Sequence, residues 1–304
     1  MKFQLRLLLL LVLPFCAVML TACKMYYSTP EASYNIPTSA DVTEGKRMTM
    51  LVCAPCHYDA STKKLSGKRM ADVPGFVGRI YASNITHHSN SALAGYSDAE
   101  LAVLIRTGLS KEGKIMPYMQ RPNMADEDLQ NIIAFLRSED ELLSPVAASP
   151  GNTNYTPMGK AGISRTKPVE WTDRAIGRPA AEDKTALGRY LVDNLSCYDC
   201  HSKSFMGIDK VNPQNSKGFM GGGNKLKDIS GNTIVSSNLT PHETGIGNWT
   251  IAEFERAMRD GVAKDNSIIR YPMPMFSELS DEEIEAIFVY LQKIPPIKNK
   301  IKKP

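Results

Sequence analysis

Cysteine, histidine and tryptophan are scarce in this chain: six, five and two among 304 residues. So few cysteines in a chain of this length exclude a disulfide-stapled scaffold. Net charge is only +4. No basic stripe interleaved with aromatics runs along the sequence, so a nucleic-acid-binding surface is excluded. Apolar–polar alternation is nearly absent, which argues against a sandwich or barrel. No apolar run reaches the about 20 residues that a membrane-spanning helix needs.

One long apolar run does exist. Lys2 and Arg6 precede Leu7 to Ala22, 16 almost wholly apolar residues. This reads as an export signal rather than a span. It ends in Leu20-Thr21-Ala22-Cys23, which resembles the lipobox of bacterial lipoproteins. The resemblance implies removal of 1–22 and lipidation of Cys23. The mature protein would then be lipid-anchored in a bacterial cell envelope, facing the periplasm, because several acyl chains hold a membrane where one is marginal.

With Cys16 in the removed segment and Cys23 lipidated, four cysteines remain, and they fall in two copies of one pattern: CAPCH at Cys53–His57 and CYDCH at Cys197–His201. No cysteine is left for a structural disulfide. Residues i, i+3 and i+4 share a helix face, so each motif turns two thiols and an imidazole toward one object. Two thioethers to a porphyrin and a histidine nitrogen on its iron use all three at once, as in c-type haem attachment. Pro55 is compatible with this only near the start of a helical turn. A four-thiol zinc site from Cys53, Cys56, Cys197 and Cys200 competes on ligand count, but it leaves His57 and His201 unused. A thioredoxin-like redox pair requires a βαβ setting, which is absent.

The segments around the motifs repeat. Cys53 and Cys197 lie 144 apart; SNIT at Ser83–Thr86 and SNLT at Ser237–Thr240 lie 154 apart; Tyr96 and Trp249 lie 153 apart; Ala125 and Ser280 lie 155 apart. This is a tandem duplication with a ten-residue insertion between motif and SNLT in the second copy. The repeated stretches read as helices. Ser97/Glu100, Thr250/Glu253 and Ser280/Glu283 form capping boxes, whereas Ala125 offers no hydroxyl cap. Leu129, Ile132, Ile133 and Leu136, like Ile284, Ile287, Phe288 and Leu291, fall at helical spacing. Helices over about 41–52 and 184–195 precede the motifs. The stretch 144–181, rich in Pro, Gly, Ser and Thr, reads as an irregular linker.

Each repeat resembles a class I cytochrome c domain: a helix, CxxCH, a wrapping segment, a methionine-bearing loop and a closing helix. The resemblance covers about Asp41–Glu139 and Glu182–Pro296. Asn238–Thr250 (NLTPHETGIGNWT) is also similar to the cytochrome subunits of membrane-bound alcohol and gluconate dehydrogenases, which carry three haem domains where this chain has two motifs. The expected fold is therefore all-α, with two tandem cytochrome c domains at 41–143 and 182–296. A tether at 23–40, the linker at 144–181 and a basic tail at 297–304 complete it.

The family places a methionine sixth ligand in the loop before the last helix. Candidates are Met116, Met119 and Met124 in the first copy and Met273 and Met275 in the second. A Met-Pro step holds its methionine extended, which favours Met273 and Met116. Repeat register instead pairs Met119 with Met273, at an offset of 154. The register reading gives Met119 and Met273 as ligands with His57 and His201, and Met116 in reserve. His87, His88 and His242 read as loop polarity, and GFMGGGN at Gly218–Asn224, placed in the insertion, as close backbone packing over a haem edge.

The expected protein holds two covalently bound haem c groups. It would pass single electrons between redox proteins, without itself being an enzyme. A dihaem peroxidase, which needs a displaceable sixth ligand, and a cytochrome subunit of a dehydrogenase complex are the alternatives. A haem-based sensor would need an output domain for which the linker is too short.

Overall fold

The computed structural model describes residues 26–32 and 34–301. The signal segment, the lipobox and Cys23 lie outside the described residues. Among the described residues helices dominate, and strands are limited to two short antiparallel pairs. Among the described residues no helix is long and apolar enough to cross a membrane.

The same helix order occurs twice. In the first half, α1 (Val42–Val52) leads into α2 (Ala54–His57), followed by α3 (Asp98–Thr107) and α4 (Asp126–Leu136). After α5 (Pro157–Ile163), the second half has α6 (Lys184–Asn194), α7 (Cys197–His201), α8 (Ile251–Arg259) and α9 (Asp281–Leu291). The Ser97, Thr250 and Ser280 capping boxes are all formed, and Ala125 caps α4 without a side-chain bond. Pro55 sits in the first turn of α2, where its missing N–H costs nothing.

The core of each half is a packed helix pair. Met48 and Leu51 of α1 are buried with Leu129, Ile132, Ile133 and Leu136 of α4; Leu187 and Leu191 of α6 are buried with Ile284, Ile287 and Leu291 of α9. Each such side chain contributes about 1.5–3 kcal/mol by leaving water. A glycine permits the close approach of each pair. A Cβ on Gly45 would lie 1.9 Å from the Asn131 carbonyl oxygen, and one on Gly188 would lie 1.9 Å from that of Ala286. Phe135 and Tyr290 flank these contacts one turn later.

The segments read as irregular carry more structure than their composition implies. The stretch expected as a tether is docked at described residues: the Tyr27 amide donates to the Gly113 carbonyl (2.8 Å), and Tyr34 stacks edge-on against Trp171 at 6.4 Å. Within the linker, Asn154–Tyr155 pairs antiparallel with Gly78–Arg79, and Thr156 caps α5. Their backbone groups find partners on the first half, so turn-rich composition did not mean an open chain. The tail is likewise docked at its start, where the Ile297 amide donates to Thr240 Oγ1 at 3.0 Å.

The halves meet through a polar network. Arg178 donates to Asp128 of α4 (2.9 Å) and to Glu283 of α9 (2.7 Å), and Arg47 of α1 also donates to Glu283 (2.8 Å). The Tyr190 hydroxyl of α6 donates to Asp128. Asp128 and Glu283 are buried, and these cations are what make two buried carboxylates tolerable.

Candidate functional site

The two histidines of the motifs are held identically. His57 Nδ1 lies 2.8 Å from the Ser83 carbonyl oxygen, and His201 Nδ1 lies 2.8 Å from that of Ser237. A carbonyl only accepts, so Nδ1 carries the proton and the Nε2 lone pair is free to bind a metal. Both rings are buried, and desolvation lowers both pKa values despite the stabilising carbonyl. The neutral, ligating form is therefore the one present at neutral pH.

The repeated SNxT stretch builds this acceptor. Asn84 Oδ1 accepts from the Thr86 amide (2.9 Å) and hydroxyl (2.7 Å), and Asn238 Oδ1 accepts from those of Thr240 at 2.9 and 2.8 Å. The Asn amide then clamps the chain beyond the closing helix: Asn84 Nδ2 donates to the Val146 carbonyl and Asn238 Nδ2 to that of Ile297, both at 2.7 Å. These bonds carry each half a few residues past 143 and 296. The sequence showed the repeat of SNxT but not its task, which belongs to a backbone oxygen.

A left-handed glycine packs on the other side of that carbonyl. The Gly67 amide donates to the His57 carbonyl (2.8 Å) and the Gly222 amide to that of His201 (2.7 Å). Their φ values are 79° and 69°, and a Cβ on either would strike the backbone of Ser83 or Ser237. GFMGGGN thus packs its backbone closely against Ser237 at Gly222. However, Gly222 is the counterpart of Gly67 in the shared frame. The insertion falls earlier, between His201 and this glycine.

Cys53, Cys56, Cys197 and Cys200 are free thiols. All four keep some surface, yet burial pushes Cys53 and Cys197 up to about 12 and raises Cys56 and Cys200. A redox-exchange pair needs a lowered thiol pKa, so the thioredoxin reading fails. Among the described residues no three His, Cys, Asp or Glu are grouped to hold a metal, so the four thiols do not converge as zinc ligands.

A cavity of about 1410 Å³ is lined by Cys197, Cys200, His201 and Met273, with Trp249, Phe254 and Phe276 among its apolar walls. It is larger than the 300–1,000 Å³ typical of drug-sized ligands. Two thiols, a neutral imidazole with Nε2 free and a thioether on one apolar cavity fit a covalently held haem. Cys56, Tyr118 and Arg121 of the first half line the same cavity.

The methionine loops hang between matching bonds. The Met116 amide donates to Gly108 (2.6 Å) and the Ile269 amide to Gly261 (2.7 Å); the Arg121 amide donates to Ile105 and the Phe276 amide to Met258, both at 2.8 Å. Met116 therefore corresponds in position to Ile269. Met119 and Met273 both lie inside the loop, half-buried against the core, whereas Met116 and Met275 are exposed. The remaining histidines have protein partners: His87 Nε2 bonds to the Leu136 carbonyl, and His88 and His242 Nδ1 accept from the Asn90 and Thr244 amides.

No family model matches the chain. It is 38% identical over 260 residues to the cytochrome c subunit of a quinone alcohol dehydrogenase from Gluconobacter oxydans, covering 81% of this chain and 52% of that one. It is 25% identical to the cytochrome c subunit of gluconate 2-dehydrogenase from Pantoea cypripedii, covering 80% and 56%. It is 27% identical to one of the subunits of nicotinate dehydrogenase from Pseudomonas putida, covering 80% and 20%. The chain thus spans about half the length of the first two relatives and a fifth of the third. With attachment motifs and relatives in agreement, the chain belongs to the c-type cytochromes, electron-transfer proteins with covalently bound haem, among which stand the cytochrome subunits of alcohol, gluconate and fructose dehydrogenases and a dihaem cytochrome c.

Proposed function

We propose that this protein carries two haem c groups and passes single electrons between redox proteins at the surface of a bacterial membrane. Cys53, Cys56 and His57 hold one haem; Cys197, Cys200 and His201 hold the other. Met119 and Met273 complete the two irons, in domains at about 41–143 and 182–296. Lipid on Cys23 tethers the chain in the envelope. The haem supplies the one-electron chemistry, and the protein supplies ligands, a dry pocket and orientation.

The observation that carries this reading is the duplicated bond from His Nδ1 to the SNxT carbonyl. It leaves two neutral imidazoles prepared for two irons. Thioether ligation favours reduced iron and a raised potential, as suits a carrier. A peroxidase needs one displaceable sixth ligand, and a methionine loop in each half speaks against it. Carbon monoxide added to the reduced protein tests this: little spectral change is expected, whereas binding by one haem in each chain would indicate an open site.

The relatives support a more specific form of the reading, a cytochrome subunit that accepts electrons from a dehydrogenase. Purification from detergent-solubilised membranes is expected to bring a dehydrogenase with the chain; recovery of the cytochrome alone, with no loss of membrane dehydrogenase activity on its deletion, would contradict it.

A further inference from the structure

The cavity that holds the second motif also reaches the first, and its charges sit between them. Arg121 leaves the first half from the loop that carries Met119. Its Nε donates to the Asn194 carbonyl at 2.9 Å, three residues before Cys197, and its Nη1 donates to the Tyr118 and Gln120 carbonyls at 3.1 and 2.8 Å. All three partners are neutral, and among the described residues Arg121 forms no ion pair. The guanidinium therefore stands as a cation without an ion pair on the cavity that Cys56, Cys197 and Cys200 also line.

The second half adds Asp199, Glu243, Arg270, Lys298 and Lys300 to the lining. Asp199, inside the second motif, is matched by Lys210 at 2.6 Å. Asp72 of the first half accepts from the Tyr271 hydroxyl of the second at 2.6 Å, and no cation pairs with it among the described residues. Asp72 also lines the cavity. Arg121 and Asp72 are thus the cation and the anion that the first half contributes to the cavity shared with the second motif.

Resting on the two-haem reading, the geometry points to this shared cavity as an electrostatic junction: Arg121 raises the reduction potential of both haems, and Asp72 opposes it. A cation stabilises the form with one positive charge fewer, which is the reduced iron, and a largely apolar cavity screens that effect poorly. Arg121 belongs to the loop that carries Met119, whereas it reaches the second motif only through the Asn194 carbonyl, so the first haem is the more sensitive.

The test is a spectroscopic redox titration of the full-length protein with haem content and the methionine band checked first. Arg121→Gln is expected to lower both midpoints, the first by at least about threefold in the oxidised-to-reduced ratio at fixed potential, roughly 30 mV at 59 mV per tenfold. Arg121→Lys restores most of the shift, and Asp72→Asn moves both midpoints upward. A purely structural role for Arg121 would not give opposite shifts in these two variants. Two haems retained with one or both midpoints unmoved in Arg121→Gln would overturn the junction. Should Arg121→Gln lose haem or methionine ligation, Asp72→Asn decides alone, and unmoved midpoints there overturn it. A wild-type chain with fewer than two haems would instead defeat the function proposed above.

Discussion

His57 is anchored to Ser83 by a 2.8 Å bond from its Nδ1 to a backbone carbonyl, and the second half repeats this between His201 and Ser237. The bond fixes tautomer and ring orientation together. It also makes a side chain outside either motif responsible for ligand geometry, because Asn84 and Asn238 hold those carbonyl segments in place.

Asn84→Ala is expected to destabilise the first half by about 1–3 kcal/mol, since it leaves the buried Thr86 groups and the Val146 carbonyl without their partner. Thermal unfolding of the purified cytochrome checks this. Asn238→Ala should do the same in the second half. A loss below about 0.5 kcal/mol in both would mean that the SNxT segment is held by something else.

Gly45→Ala separates local from tertiary effects. On an isolated helix, alanine for glycine stabilises by about 1 kcal/mol. Here the added Cβ would meet the Asn131 carbonyl at 1.9 Å, so overpacking should win and destabilise by about 1–3 kcal/mol. Gly188→Ala should behave alike against Ala286. Denaturant midpoints decide the sign, and a stabilised variant would show that the helices separate freely.

The methionine assignment is tested by spectra of the oxidised protein. Met119→Ala should remove one haem's share of the weak long-wavelength band and lower its potential, and Met273→Ala should do so for the other. Met116→Ala should leave the band intact. Loss of the band in Met116→Ala with retention in Met119→Ala would give the first haem to the Met-Pro step rather than to repeat register.

Much of this frame was legible in the chain. The capping boxes, the buried i, i+3, i+4, i+7 rows and the repeat offsets are local patterns, and the helices formed where those patterns lie. What escaped is long-range or carried by backbone. Arg47 and Glu283 lie 236 residues apart with no local signal of their bond. The strand Asn154–Tyr155 depends on a partner edge at Gly78–Arg79, so Pro- and Gly-rich composition alone read as open linker. Tyr27 and Tyr34, in a stretch without helical period, gave no sign that they would dock on the first half. Ser83 and Ser237 act through carbonyl oxygens, which any residue possesses. The site itself was visible as CxxCH, while the cavity shared by Cys56 and Cys200 needed the folding of both halves.

Cys23→Ser tests the anchor. The variant is expected to shift from the membrane fraction to the soluble fraction, or to remain unprocessed. Full processing with undiminished membrane association would rule out lipidation at Cys23.

The intact mass of the denatured, mature chain bears most directly on the claim that it holds two covalent haems. A mass equal to the polypeptide plus two haem groups is expected. Cys53→Ala/Cys56→Ala and Cys197→Ala/Cys200→Ala should each lower it by one haem beyond the change in residues. A wild-type mass carrying one haem or none would contradict the dihaem assignment.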